Sequence, residues 1–128
     1  MVRNKKIIIA IGGGGFTHSS DEDLDEYVIN QVNKSNINIG FLPTASNDNQ
    51  EKTDLFYKRF KSHKFKLSHF NLSTSVEGFN EWMLKKDIIY VGGGNTSEMI
   101  NIWKRHDLIK VFKDAYEKGI ILLSLIHI

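Results

Sequence analysis

The stretch DIIYVGGGNT, residues 87–96, decides the fold because it joins a buried strand to a helix through glycines. Residues 88–91 are β-branched or aromatic throughout, as in a parallel strand that is covered on both faces. The three glycines at 92–94 have no Cβ, so their backbone N–H groups can approach a ligand closely. Asn95 is a favourable N-cap, and Glu98 lies three residues later as in a capping box. This strand, loop and helix N-terminus together predict a site for negative charge, either bound or developing.

A second glycine-rich loop follows an earlier apolar run. Residues 5–11 predict a strand that is apolar on both faces and therefore central in its sheet, and four glycines follow at 12–15. A dinucleotide fingerprint needs a further glycine where Thr17 stands, and a Walker loop needs a Gly-Lys-Ser/Thr sequence that these glycines lack. Both nucleotide-binding interpretations therefore fail. The loop can still shape a pocket, through Gly13, Gly14 and Gly15.

Hydroxyl groups follow the second predicted strand, residues 37–42. Pro43 opens this loop and prevents a helix from continuing at once. Thr44 and Ser46 are candidate pocket-lining residues, but such side chains also satisfy the backbone of their own loop. The sequence does not decide between these two interpretations.

Apolar residues at helical spacing predict helices between the strands. In the first helix, the residues expected to face the sheet are Leu24, Tyr27, Val28 and Val32. In the four later helices, the residues expected to face the sheet are Leu55, Phe56 and Phe60; Val76, Phe79, Trp82 and Met83; Met99, Ile100 and Trp103; and Leu108, Val111, Phe112, Ala115 and Tyr116. Gly119 is the expected C-cap of the last of these helices.

The start of the first helix is acidic, with His18 beside several carboxylates at 21–26. An EF-hand starting there would need glycine at 26 and glutamate at 32, but Glu26 and Val32 occupy those positions. A helix capped by Ser20 explains the carboxylates without a metal, because the helix dipole favours anions in the first turn. We therefore predict no metal site and no cofactor.

Residues 61–70 interleave basic and aromatic side chains, as surfaces that bind single-stranded nucleic acid do. Their period of two, with Phe65 and Leu67 on one side and Lys64 and Lys66 on the other, instead favours an edge strand protected by lysine. With this strand at an edge and the first and fourth strands central, the expected strand order is 3-2-1-4. Both glycine loops would then flank one crevice at the switch point of the sheet.

Length and composition exclude several classes of protein. The 128 residues form at most one domain, and 17 basic against 15 acidic side chains give no field that would imply a nucleic-acid partner. The absence of cysteine excludes disulfides and a thiol nucleophile. The apolar run at 7–11 is too short for a signal peptide or a membrane span, so we expect a cytoplasmic protein without a membrane partner.

Three motifs together resemble one family. YVGGGNT at 90–96, IAIGGGGFT at 9–17 and FLPTAS at 41–46 occur in the order and spacing of the peptidase E family of serine peptidases, the S51 type, which is related in fold to class I glutamine amidotransferases. The resemblance implies an α/β fold with an open, mostly parallel, doubly wound sheet that has helices on both faces and is truncated at the fifth strand. It also implies an oxyanion and substrate loop made of Gly92, Gly93, Gly94, Asn95 and Thr96.

The resemblance implies a serine-type peptidase, similar to dipeptidase E, that in its full-length form hydrolyses short peptides, notably dipeptides that begin with aspartate. The backbone amides of Gly93 and Gly94 are the expected oxyanion donors. The alternative is a non-catalytic module that binds a small phosphate or carboxylate. A glutamine amidotransferase would need a cysteine nucleophile, which the sequence lacks. Homo-oligomerisation is left open.

The family's nucleophile is expected after the last strand. In members of this family, the strand that corresponds to residues 120–122 runs into a Gly-x-Ser-Ala-Gly elbow that carries the nucleophilic serine. The histidine and the acid that activate this serine lie further downstream. Ser124 stands instead between two leucines without a glycine, so we assign no catalytic residue and expect an inactive, poorly soluble fragment.

The last six residues, LSLIHI at 123–128, match the translation of a widely used transposon-end sequencing adaptor. They are expected to be an artefactual tail on residues 1–122, the N-terminal part of a single α/β hydrolase domain. A genuine hydrophobic terminal strand is the alternative.

Overall fold

Strands and helices alternate along the chain in the computed structural model, which describes residues 6–12, 22–32, 35–61 and 65–126. The strands are β1 (Ile8–Gly12), β2 (Ile37–Leu42), β3 (Phe65–His69), β4 (Ile88–Val91) and β5 (Ile121–Ile126). The helices are α1 (Glu22–Asn30), α2 (Gln50–Arg59), α3 (Phe79–Leu84), α4 (Thr96–Arg105) and α5 (Ile109–Lys118), and a short 3₁₀ helix, Thr44–Ser46, comes soon after β2. This alternation is typical of an α/β fold with a parallel sheet.

The described strands form one parallel sheet in the order β1-β5-β4-β2-β3. The edge position predicted for β3 is confirmed, but the predicted order 3-2-1-4 is wrong. β4 lies between β2 and β5, whereas β1 lies at the edge of the described sheet, where Ile8 is 65% exposed. An apolar run indicates that a strand can be buried on both faces, but it holds no information about which strand pairs beside it. For that reason the run in β1 predicts the wrong position.

Helices cover both faces of the sheet, as a doubly wound fold requires. On one face, Val28 of α1, Val32 just after that helix and Phe56 of α2 belong to a cluster that includes Tyr90 of β4. On the other face, residues of α3, α4 and α5 belong to a second cluster, which includes Ile89. Because successive side chains of a strand point to opposite faces, β4 contributes to both cores.

α1 differs from the prediction at one side chain. Val28 is fully buried, but Tyr27, which was expected to face the sheet, is 58% exposed. Residue 27 lies about 100° around the helix from residue 28, and Val32, which was expected to be part of this helix, follows its end at Asn30. The predicted cap Ser20 and the side chain of Leu24 lie outside the part of the chain that the structure describes.

β2 and β4 are parallel neighbours in the sheet, but the connections that follow them run toward opposite edges. The chain leaves β2 toward β3 and leaves β4 in the opposite direction, toward β5. Loops at the carboxyl ends of such a strand pair diverge to opposite faces and leave a crevice in which ligands of α/β proteins bind. Residues 43–49 and 92–95 therefore meet at the switch point.

Candidate functional site

The turn after β4 is attached to the strand and loop before α2 by two backbone hydrogen bonds. Gly92 N donates to Leu42 O at 3.0 Å, and Asn95 N donates to Ala45 O at 2.6 Å. Between them, Gly94 has a φ of +149°, and a Cβ at this residue would lie 2.2 Å from Ala45 O. Only glycine fits there without displacement of the neighbouring loop. The sequence predicts the glycine turn, but only the structure shows its contact with Ala45.

Asn95 caps α4, as the sequence predicts. Its side-chain Oδ1 accepts a hydrogen bond from Glu98 N at 3.0 Å. In a full capping box the Glu98 side chain would bind Asn95 N, but Ala45 O occupies that N–H instead. Thr96 begins the helix and is exposed. The cap therefore joins the helix N-terminus to the loop after β2.

Gly93 and Gly94 carry the amides that can bind an anion. Neither N–H group donates a hydrogen bond to another described residue, and both glycines are partly exposed. Gly92 differs, because it is buried and its N–H donates to Leu42 O. Two free donors next to the positive end of a helix dipole can hold a carboxylate or phosphate oxygen, or stabilise an oxyanion as it forms.

Thr44 and Ser46 lie on the loop that contacts this glycine turn, and their hydroxyl groups differ in environment. Ser46 Oγ donates to Pro43 O at 2.9 Å, so it satisfies the backbone of its own loop. Thr44 is only 4% exposed, and its Oγ1 has no hydrogen-bond partner within the described residues. Of the two hydroxyl groups, that of Thr44 is the one left with unused hydrogen-bonding capacity.

The loop after β2 is also attached to the loop after β3, a contact that the sequence analysis missed. Asp48 Oδ2 accepts hydrogen bonds from Ser73 N, at 3.0 Å, and from the Ser73 hydroxyl. Asn47 and Asp48 have φ angles of 57° and 55°, in the left-handed region that Asn and Asp tolerate better than most residues. The adjacent Asn-Asp pair is the local signal that would have indicated a tight loop here.

Gly13, Gly14 and Gly15 lie outside the described residues, so their place at the site stays a prediction. β1 ends at Gly12, and β5 lies between β1 and β4. The expected strand order implied that the two glycine loops leave neighbouring strands. In the structure they do not, because β5 separates β1 from β4. They follow strands that end at the same edge of the sheet, two strand positions or about 10 Å apart.

Ser124 lies within β5, which continues to Ile126. Its backbone is in register with Ala10 on one side and Val91 on the other. A nucleophile elbow requires a sharp turn between a strand and a helix, and Ser124 does not have that geometry.

Within the residues that the structure describes, no group of three or more His, Cys, Asp or Glu side chains is placed to hold a metal ion. None of the described helices is both long and apolar enough to cross a bilayer.

Comparison with known proteins assigns the chain that forms this site to a family. The family model for peptidase family S51 matches residues 8–124, a range that includes both loops of the site. The chain belongs to peptidase family S51. This S51 chain is 37% identical over 125 residues to the uncharacterized peptidase YgaJ of Bacillus subtilis (strain 168), an alignment that covers 94% of the S51 chain and 53% of YgaJ.

A solved structure has the same fold. It is a Listeria monocytogenes EGD-e protein described as a candidate peptidase E, which matches the S51 chain with a TM-score of 0.71 at 20% sequence identity. The match covers 94% of the S51 chain and 58% of the other protein. The expected resemblance to the peptidase E type and the expected open, parallel α/β sheet are thereby confirmed. The S51 chain spans little more than half the length of these two relatives.

Proposed function

We propose that the S51 chain is part of a serine-type peptidase that hydrolyses short peptides, with dipeptides that begin with aspartate as its substrates. Membership of a peptidase family supports the reaction class. The observation that carries the mechanism is the clamped turn after β4, where the Gly93 and Gly94 amides have no acceptor among the described residues.

The role proposed for this turn is to stabilise the oxyanion. Attack on a peptide carbonyl turns its oxygen into an oxyanion, and donors that already point at this position lower the barrier without reorganisation. The Asn95 N–H to Ala45 O hydrogen bond of 2.6 Å holds the turn in place before substrate binds. Asn95 and Thr96 then fix the turn to the start of α4.

The 128-residue chain itself is proposed to be inactive. Ser124 lies in a regular strand rather than at an elbow, and a serine without a positioned base and acid is a poor nucleophile. We assign the activity to a polypeptide of the length of the relatives, in which a Gly-x-Ser-Ala-Gly elbow would follow the strand that begins at Ile121.

The test compares the two lengths of chain on the same substrate. The 128-residue chain should release no more amino acid from an aspartyl dipeptide than a buffer blank does. The longer polypeptide should hydrolyse the dipeptide and react with a fluorophosphonate probe. Gly94→Ala should lower its kcat/KM by about 100-fold or more, because the substitution displaces the oxyanion donors. Gly78→Ala, at a glycine with open space around it, is the matched control. Hydrolysis by the short chain, or equal rates for both variants, would contradict the proposal.

A binding module for a small phosphate or carboxylate is the second candidate. It is favoured by the presence of the anion-binding turn in a chain whose Ser124 lies within a strand. A binding module should take up inorganic phosphate at Gly93 and Gly94 in a calorimetric or NMR titration, and the longer polypeptide should not react with the fluorophosphonate. A peptidase should react with the probe whether or not it binds phosphate.

A further inference from the structure

The outer side of β3 offers an unpaired strand edge. β3 lies at the end of the described sheet and pairs only with β2 among the described strands. Within the described ranges of the chain, no strand pairs with the backbone N–H and C=O groups on its far side. Such an edge is a template for the addition of a strand, and its neighbouring side chains decide which chains can use it.

A groove runs beside this edge on the face of the sheet that α2 covers. It is an open groove of about 580 Å³ lined by Tyr57, Lys58, Lys61, Phe65 and Leu67, which together we call the β3 groove. The aromatic part of its floor is fixed to the core, since the Phe65 ring lies 6.1 Å from Phe60 and the Tyr57 ring lies 5.3 Å from Phe56, both edge-on. The groove thus has a firm apolar floor.

The charge around the groove is positive. Lys58 and Lys61 are exposed and have no carboxylate partner within the described residues. Lys66, also exposed, lies on the opposite face of β3, on the same side as Ser68, whose Oγ accepts a hydrogen bond from Trp82 of α3. Lysines therefore flank the free edge on both faces, and a carboxylate-bearing partner complements them.

We propose that the β3 groove and the free edge of β3 bind an extended acidic peptide segment, which adds to the sheet as a further strand. Its alternate side chains on one face lie over Phe65 and Leu67, with carboxylates near Lys58 and Lys61. Its side chains on the other face present carboxylates to Lys66. Backbone hydrogen bonds supply affinity, and the charges select the sequence.

Two other occupants fit these observations less well. A second copy of the chain that paired β3 with β3 across a two-fold axis would bring the same lysines of both copies together, and like charges across such a pair are destabilising. Single-stranded nucleic acid needs aromatic faces on which bases stack. The rings of Tyr57 and Phe65 instead make edge-on contacts with core rings and with His69.

The test uses the 128-residue chain and the N-acetylated, C-amidated hexapeptide Glu-Glu-Val-Glu-Val-Glu, which in an extended conformation has carboxylates on both faces and valines on one face only. This probe has no free α-amino group, so it is unlike the dipeptides proposed as substrates, and the result does not depend on the proposed peptidase activity. Binding is followed by ¹⁵N NMR, and we expect the amide shifts to be largest along β3. The double substitution Lys58→Glu and Lys61→Glu should weaken binding about tenfold or more, and added salt should weaken it too.

Two controls separate specific docking from general attraction. Lys104→Glu with Lys110→Glu makes the same change of charge at exposed positions on α4 and α5, and should leave the affinity within about twofold. A peptide that is N-methylated at every residue keeps its charges but has no backbone N–H donor within the hexapeptide, and should not bind. This second control does not depend on the folding of any protein variant.

Four results would overturn the inference. The first is that no β3 amide shifts at millimolar peptide, and the second is that both double lysine variants lose the same amount of affinity. The third is that the N-methylated peptide binds as well as the parent peptide, and the fourth is that the groove prefers oligothymidylate to the acidic peptide. A concentration-dependent dimer that is lost with Lys58→Glu and Lys61→Glu would instead assign the edge to a second copy of the chain.

Discussion

Single residues set the geometry of the candidate site through the backbone rather than through reactive side chains. Gly94 combines a φ of +149° with a neighbouring carbonyl oxygen 2.2 Å from the position of a Cβ. Gly78 also has a positive φ, of +77°, but nothing lies within 4 Å of its Cβ position. The two glycines therefore differ both in their backbone angle, since a side chain tolerates a φ near +77° better than one of +149°, and in the space for a Cβ.

We expect Gly94→Ala to destabilise the chain more than Gly78→Ala. A positive φ alone costs an alanine about 1–2 kcal/mol. The collision with Ala45 O adds an overpacking cost, so Gly94→Ala should lose about 3 kcal/mol or more. The free energy of unfolding from urea titration of both variants checks this difference. Equal losses would show that the loop after β2 moves aside freely and does not clamp the turn.

At the scale of elements, a part-buried polar contact joins α2 to the edge strand. The Tyr57 hydroxyl lies 2.8 Å from His69 Nδ1, and the two rings meet edge-on at 5.6 Å. Partial burial raises the pKa of Tyr57 above the ordinary value of a tyrosine. The helix and the strand are therefore coupled through a phenol that keeps its proton longer in the folded chain than in the unfolded chain.

This coupling predicts a loss of stability in alkali. Because the raised pKa belongs to the folded state, the contribution of Tyr57 is complete below the unfolded pKa of about 10 and is lost as the pH rises through the folded pKa. At pH 8, Tyr57→Phe should lower the free energy of unfolding by about 1 kcal/mol, because the hydrogen bond is lost. Above pH 10, the free energy of unfolding should fall less in this variant than in the parent. Urea titrations between pH 8 and 11 measure this, with Tyr27→Phe at an exposed position as control. Parallel pH curves for the parent and Tyr57→Phe would show that folding does not raise the pKa of Tyr57.

Across the whole molecule, stability is expected to be highest at the centre of the sheet. All four residues of β4 are buried, and the strand pairs with β2 on one side and β5 on the other. β1 and β3 lie at the edges of the described sheet. Local opening of an edge strand breaks fewer contacts than opening of the centre, which requires the sheet to come apart.

Hydrogen exchange tests this gradient. The amides of Ile89 and Tyr90 should exchange only through global unfolding, with a strong dependence on denaturant, whereas those of β1 and β3 should exchange faster and with a weaker dependence. Native-state exchange followed by NMR at several urea concentrations measures both. Equal protection of β1 and β4 would mean that β1 is covered in solution by a further partner.

Much of this architecture could be predicted because its causes are local. The β-branched runs, Asn95 as N-cap and Gly119 as C-cap act through neighbours within a few residues, and the structure has each of them. The resemblance to the peptidase E type could be stated for the same reason, since its motifs are contiguous. The edge position of β3 also followed from a local pattern, the alternation of apolar and basic residues.

The strand order, the exposure of Tyr27, the Asp48 contact with Ser73 and the bond from Asn95 to Ala45 were not predictable in this way. Each depends on which distant segment packs alongside, and buried strands with similar apolar runs exchange places in a sheet without a change in local pattern. The sequence by itself determined the alternating strands and helices, the caps at Asn95 and Gly119 and the glycine turn after β4, because these arise from periodicity and capping. Only the tertiary structure decided that β4 lies between β2 and β5 and that Ala45 holds the turn, because pairing between distant segments is selected by the packing of the whole sheet.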